Sequence, residues 1–431
     1  MDKNTITGFI LIAAILIVFS WWNQPSEEQV AEFRKQDSIA AVEKQKAEQA
    51  SKAKADAAQD EKANQLAQMA QDTTVLFHKA LQGSAQNIVL KNPKVELTFS
   101  TKGATIQKAV IKGFEDRVDN PDLTLFDEKD QQLKFVLEGK EININSNDLF
   151  FQPSEQTDST VTFTAVASAG KQLVVKYLLG QDYMLHASVQ AIGMEGLFSP
   201  QMKEMAIEWT DKCRQQEKGF TFENRYASLT WHETDGGTDY LNEAKEYIDE
   251  KVEDDIDWVA FKNQFFSAVM IAKDGFGKNN LMTSIPKEKG EFYLKEYGAK
   301  LKAFFDPSGK KPTEFEFYYG PNDFRLLQRV EKQSTFGKDL QMERLVFLGW
   351  PLFRIINRWF TLYVFDWLTK LNINMGIVLI LITLLLKLIT YPMVKKSYMS
   401  SAKMRVLKPK LDEATKQYNN PEDQMMKQQA M

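Results

Sequence analysis

In the stretch GIVLILITLLLKLITYPMVKK, Gly376 to Lys396, fourteen of the fifteen residues from Ile377 to Tyr391 are apolar or Thr, and the exception is Lys387. Thr383 lies four residues earlier, on the same face of a helix. The chemistry this pair suits is attraction, not bond making: an ammonium in a low-dielectric setting draws carboxylates and polar groups. Placing a lysine at the centre of a span costs about 2.5–3.5 kcal/mol on insertion scales. Lys387 would stand about 12 Å below Lys395 at 1.5 Å rise per residue, and its stem can climb part of that distance. Snorkelling therefore accounts for tolerance of the charge. A polar cavity accounts for its presence, because intramembrane cations face bundle interiors or water.

Other chemistries find little support. The chain holds no nucleophile elbow, phosphate loop, zinc motif or paired-carboxylate motif. The single cysteine, Cys213, excludes an intramolecular disulfide, and His78, His186 and His232 are widely spaced, ordinary side chains. The acidic run Glu253-Asp254-Asp255 has the character of a solvated loop. A net charge of -4 over 431 residues gives no overall basic field for nucleic acid. No enzymatic activity, metal or cofactor is expected, which leaves scaffolding, binding and membrane roles.

Several elements must position the charged helix. Thr5 to Trp22 is uncharged and leaves through Trp21-Trp22, which suits an uncleaved transmembrane anchor over residues 1–24 better than a cleaved signal peptide. Residues 25–74 are rich in Ala, Gln, Lys, Glu and Asp and predict a helical or partly disordered tether. Between 75 and 335, strand-like alternation recurs in VELTFS, TVTFTAV, LVVKYLL, LHASVQA and EFEFYYG. Turn signals separate these runs at Asn120-Pro121, Asp235-Gly236-Gly237, Asp274-Gly275 and Pro307-Ser308-Gly309, and the pattern predicts a large all-β sandwich.

Residues 340–370 predict an amphipathic helix in the headgroup region, started or kinked by Pro351, with Arg354, Asn357, Arg358 and Thr361 on a thin polar stripe. A core helix of the sandwich is the alternative. The charged span occupies 374–394. Beyond it, residues 395–431 begin with Lys395, Lys396, Lys403, Arg405, Lys408 and Lys410 before the first acid at Asp412. This basic collar places that end in the cytoplasm by the positive-inside rule, with the polar middle of the chain on the far side, the periplasm of a Gram-negative cell. It also suits contact with anionic lipid, and a helical hairpin with breaks at Pro409 and Asn419-Asn420-Pro421 is expected.

The run NMGIVLILITLLLKLITYPMVKKSYMSSAKMRVLKPKL, Asn374 to Leu411, resembles the second transmembrane helix and first cytoplasmic loop of the YidC membrane protein insertases. The shared features are Asn374, Gly376, Thr383, a basic residue at 387, Tyr391-Pro392 and the segment from Ser401 to Lys410. WVAFKNQFFSAVM from Trp258 and YYGPNDFRLL from Tyr319 resemble blocks of that family's periplasmic domain. The resemblance implies an inner-membrane, multi-pass insertase and chaperone without bond chemistry. It implies a periplasmic β-supersandwich and an α-helical core with a hydrophilic groove, lined by Lys387 and Thr383, that receives nascent membrane proteins. The family usually has arginine at the basic position; lysine keeps the charge and loses the bidentate grip. Implied partners are the Sec translocase and its accessory subunits, the ribosome or targeting factors, and the bilayer, with no small-molecule substrate. The family has further transmembrane helices after the hairpin, so the helical core is expected to be incomplete in the 431 residues. A competing expectation is a bitopic protein whose sandwich binds a saccharide or cell-wall ligand.

Overall fold

The computed structural model describes residue 57 and residues 60–139, 143–199, 201–241, 247–349 and 351–415. The anchor, most of the tether and the Asn419–Pro421 break lie outside the described residues. The chain divides into two compact units, one ending at Leu345 and the other beginning at Val346.

The first unit is built of antiparallel strands. Residues 60–71 of the tether are helical, followed by a short sheet of Asn87–Lys91, Val95–Ser100, Thr105–Ile111 and Leu123–Phe126. In Val95–Ser100, Val95, Leu97 and Phe99 are all buried, as strict alternation requires of a strand with one face on a core. A larger sheet runs through Gln131–Glu138, Glu204–Arg214, Tyr293–Phe304, Phe266–Phe276, Thr313–Pro321, Met184–Ile192, Lys171–Leu179 and Thr160–Ser168, each paired with the next. The runs LVVKYLL, LHASVQA and EFEFYYG fall on three of these neighbours. The all-β expectation is thus met.

The interior is aromatic. Trp209 stacks on Phe261 with ring centroids 3.9 Å apart, and Phe261 stacks on Tyr297 at 5.4 Å. Burying a large apolar side chain of this kind contributes about 1.5–3 kcal/mol. One turn signal is a correction. Asp274-Gly275 does not end a strand but lies inside Phe266–Phe276, where a bulge separates the pairs Trp258↔Ile271 and Ile256↔Phe276. Gly275 supplies φ +78° there, a conformation that glycine reaches without strain. The bulge lets the strand leave Thr313–Pro321 after Ala272 and meet Ala303 of Tyr293–Phe304.

The last part of this unit is a strap. After the helix Phe324–Glu331, Leu340, Met342 and Leu345 are buried against the sandwich. The Glu331 carboxylate accepts from the backbone N–H groups of Leu340, Gln341 and Met342 at 2.9, 3.1 and 3.2 Å. Glu316, fully buried, accepts from Ser334 Oγ at 2.6 Å and from Thr335 N and Oγ1 at 2.9 and 2.8 Å. His186, opposite Glu316 in the strand register, lies 3.1 Å from the same carboxylate.

In the second unit the amphipathic segment is helical from Pro351, not from 340, and Pro351 starts it. Pro351–Ile356 and Leu362–Thr369 are α-helical, with a π-turn over Asn357–Thr361 between them. Thr361 Oγ1 donates to Asn357 Oδ1 at 3.1 Å and Asn357 Nδ2 to the Leu348 carbonyl at 3.0 Å. The polar stripe is therefore divided: Asn357 and Thr361 hold the turn, while Arg354 and Arg358 are exposed with Trp359 and Trp367.

Candidate functional site: the charged strip of the membrane helix

Asn372, in the left-handed region at φ +51°, follows the helix Leu362–Thr369. Asn374 then caps the next helix, its Oδ1 accepting from Gly376 N at 2.8 Å. That helix, Met375–Thr415, has 41 residues and is about 60 Å long. Its part Met375–Pro409 is long and apolar enough to cross a membrane, and among the described residues it is the one helix that is. The expected break at Pro409 is not found. The helix runs through both Pro392 and Pro409; proline's fixed φ is compatible with helical backbone, and each ring removes one N–H donor from the ladder.

One face of the helix is packed within its unit. Val378 and Ile382 are buried with Leu368, and Val364, Phe365, Ile373 and Leu386 close around them. At about 100° per residue, Thr383, Lys387 and Thr390 fall together about 80–140° around the helix from that packed face. All three are exposed. Thr383 Oγ1 donates to the Leu379 carbonyl at 2.8 Å, and Thr390 Oγ1 to that of Leu386 at 2.8 Å. Each hydroxyl spends its proton on its own helix, which lowers the cost of a polar group at membrane depth and leaves the oxygen as an acceptor. Among the described residues no carboxylate pairs with Lys387. The strip is thus one cation beside two acceptors, able to draw an acid or an amide. Lys395, Lys396, Lys403, Arg405 and Lys408 are exposed on the same helix farther along, and Lys410 lies on its last turns.

The histidines serve structure. His186 meets Glu316, His232 is buried and stacked on Trp258, and His78 Nδ1 lies 3.2 Å from the Val75 carbonyl. Glu253, Asp254 and Asp255 are exposed. The strap that Glu316 and Glu331 hold is not visible in the sequence. Its one trace there is that Trp258 and Lys262, which bond to the Leu340 and Leu345 carbonyls of the strap, belong to the block WVAFKNQFFSAVM.

A large all-β domain followed in the chain by a helix long and apolar enough to cross a membrane, with a charged strip on it, defines the class of protein. Residues 87–363 match the family model described as the YidC periplasmic domain, and residues 367–431 that described as the 60Kd inner membrane protein. A Phocaeicola vulgatus protein named membrane protein insertase YidC is 46% identical over all of this chain and 68% of its own length. A Bacteroides fragilis protein of the same name is 41% identical, with the same coverage. The chain belongs to the YidC family of membrane protein insertases. A crystal structure titled as an active YidC insertase is 16% identical, covering 79% of this chain and 63% of that one, with a TM-score of 0.32. A galactose mutarotase-like protein of Lactobacillus casei, 13% identical, covers 54% of this chain and all of that one with a TM-score of 0.36. The relatives are named insertases, not enzymes, and the saccharide-binding alternative is not favoured.

Proposed function

We propose that the chain inserts and folds integral membrane proteins, with the Thr383–Lys387 strip as the lining that meets polar or acidic parts of an incoming protein. The observation that carries this is the match along the whole chain to proteins named membrane protein insertase. The strip supplies a physical means. A cation and an acceptor at membrane depth stabilise groups that lipid cannot solvate, at about 1–4 kcal/mol for a charge pair 4 Å apart at effective dielectric constants of 80 to 20.

On this reading the protein resides in the inner membrane with several spans, its amino terminus and the end beyond Lys395 in the cytoplasm, and its β-domain in the periplasm. The exposed basic collar meets the ribosome or targeting factors and anionic lipid, and the β-domain meets the Sec translocase. The test is rescue of a strain depleted of its own insertase. Wild type and Lys387→Arg are expected to restore growth and Lys387→Leu to fail at equal protein level; growth with Lys387→Leu would remove the strip from the mechanism.

A further inference from the structure

The helix at residues 60–71 lies over the sandwich without filling the space beneath it. A cavity of about 750 Å³ remains, with Leu66 and Met69 of the helix above and Phe77, Ile144, Leu149 and Leu197 of the sandwich around it. The size and apolar lining are those of a binding site. The helix is held lightly: most of its residues are exposed, Met69 at 43%, and Ala70 is its one buried side chain. Among the described residues two polar contacts tie it down, Lys62 Nζ to Asp148 Oδ1 at 2.7 Å and Gln82 Nε2 to the Ala70 carbonyl at 2.7 Å. Phe77 sits beneath it with φ +68°, buried.

We propose that this space is a groove for an extended, uncharged apolar stretch of a client polypeptide, with helix 60–71 as its lid. The charges decide the occupant. Among the described residues Lys62 and Asp148 are the only charged ones lining the cavity, and they are paired with each other, so neither is spared for a phosphate or carboxylate headgroup. The remaining polar lining is of amide and hydroxyl type, including Gln65, Asn143, Asn145 and Thr74, which suits the main-chain groups of a peptide. Met69 adapts to varied side chains. The ion pair is the latch, and opening it admits the peptide. The word client rests on the insertase function proposed above; the groove itself does not.

The test uses the full chain in nanodiscs, with empty nanodiscs as background, and a fluorescein-labelled peptide Gly-Ser-Leu-Ala-Leu-Val-Ala-Leu-Ser-Gly. Saturable binding is expected, weakened about tenfold by Leu197→Asp, a half-buried surface position, and by Leu66→Asp. Lys62→Glu, which sets two acids at the latch, should speed association severalfold. A peptide carrying Asp at its alanine positions should not bind. Absent saturable binding, indifference to both Asp substitutions, or displacement of the peptide by oleate or phosphatidylglycerol would each overturn the proposal. Insertion that depends on Lys387 alongside a silent groove would sink the groove alone and leave the proposed function standing.

Discussion

The indole N–H of Trp258 donates to the Leu340 carbonyl at 2.7 Å, tying the strand Ile256–Lys262 to the segment that leaves the β-domain. Lys338 Nζ meets Asp257 Oδ1 at 2.6 Å one residue before the tryptophan, and Lys262 Nζ lies 3.4 Å from the Leu345 carbonyl four residues after it. One strand therefore grips the strap at three points, while Glu316 and Glu331 grip it from other elements. Trp258→Phe keeps an aromatic side chain but trims the buried indole and removes its donor, leaving the Leu340 carbonyl unpaired. A loss of about 1–3 kcal/mol is expected. At about 2–4 °C per kcal/mol for a domain of this size, thermal melts should read it directly.

Glu316 sets the acid side of stability. Burial works to raise its carboxyl, but hydrogen bonds from His186, Ser334 and Thr335 overcome this and hold it below the usual glutamate range. A depressed folded pKa means that its contribution is present above the unfolded value of about 4.3 and is lost as pH falls through the folded one. Glu316→Gln should cost about 1.5–3 kcal/mol at neutral pH. The difference between variant and wild type should shrink in melts taken below pH 4.

Asp211 acts on the opposite side. It is buried on Glu204–Arg214 opposite Gln131, and burial first, then the Asp130 charge, push its carboxyl up to about 8. Its Oδ1 and both polar atoms of the Gln131 side chain have no hydrogen-bond partner among the described residues. A raised folded pKa favours the protonated form, so its contribution is full below the unfolded value of about 3.9 and is lost as pH rises through about 8. Wild type should melt higher at pH 5 than at pH 8.5, and Asp211→Asn should flatten that part of the profile. Equal slopes for the two proteins would show that another group is responsible.

The alternating runs made the strands legible, and the interruption of an apolar helix by Lys387 made the candidate strip legible. What escaped has physical reasons. Lys262, Lys295 and Glu316 are buried although they are charged, because each finds partners from distant parts of the chain, as Lys295 Nζ does with the Ala227 carbonyl at 2.6 Å. Local pattern carries no trace of such partners. Asp274-Gly275 has the composition of a turn, yet a bulge inside a strand demands the same glycine. Pro409 has the composition of a stop, yet its fixed φ also fits a helix, and the helix continues past it.

Thr383 separates polarity from shape. Thr383→Val preserves volume and β-branching and removes the hydroxyl, and the Leu379 carbonyl keeps its place in the helix ladder. Protein level should be unchanged, and insertion of a single-span client should fall about two- to fivefold, the effect of losing one hydrogen bond of about 0.5–1 kcal/mol. Thr383→Ser should retain activity.

The most direct measurement uses proteoliposomes and two single-span clients that differ only by acidic or neutral residues in the translocated tail. With the charge at position 387 as the attractor, Lys387→Leu should reduce insertion of the acidic client about tenfold, corresponding to about 1.4 kcal/mol. The neutral client should change less, and Lys387→Arg should support both. Equal insertion of the acidic client by wild type and Lys387→Leu would contradict the account.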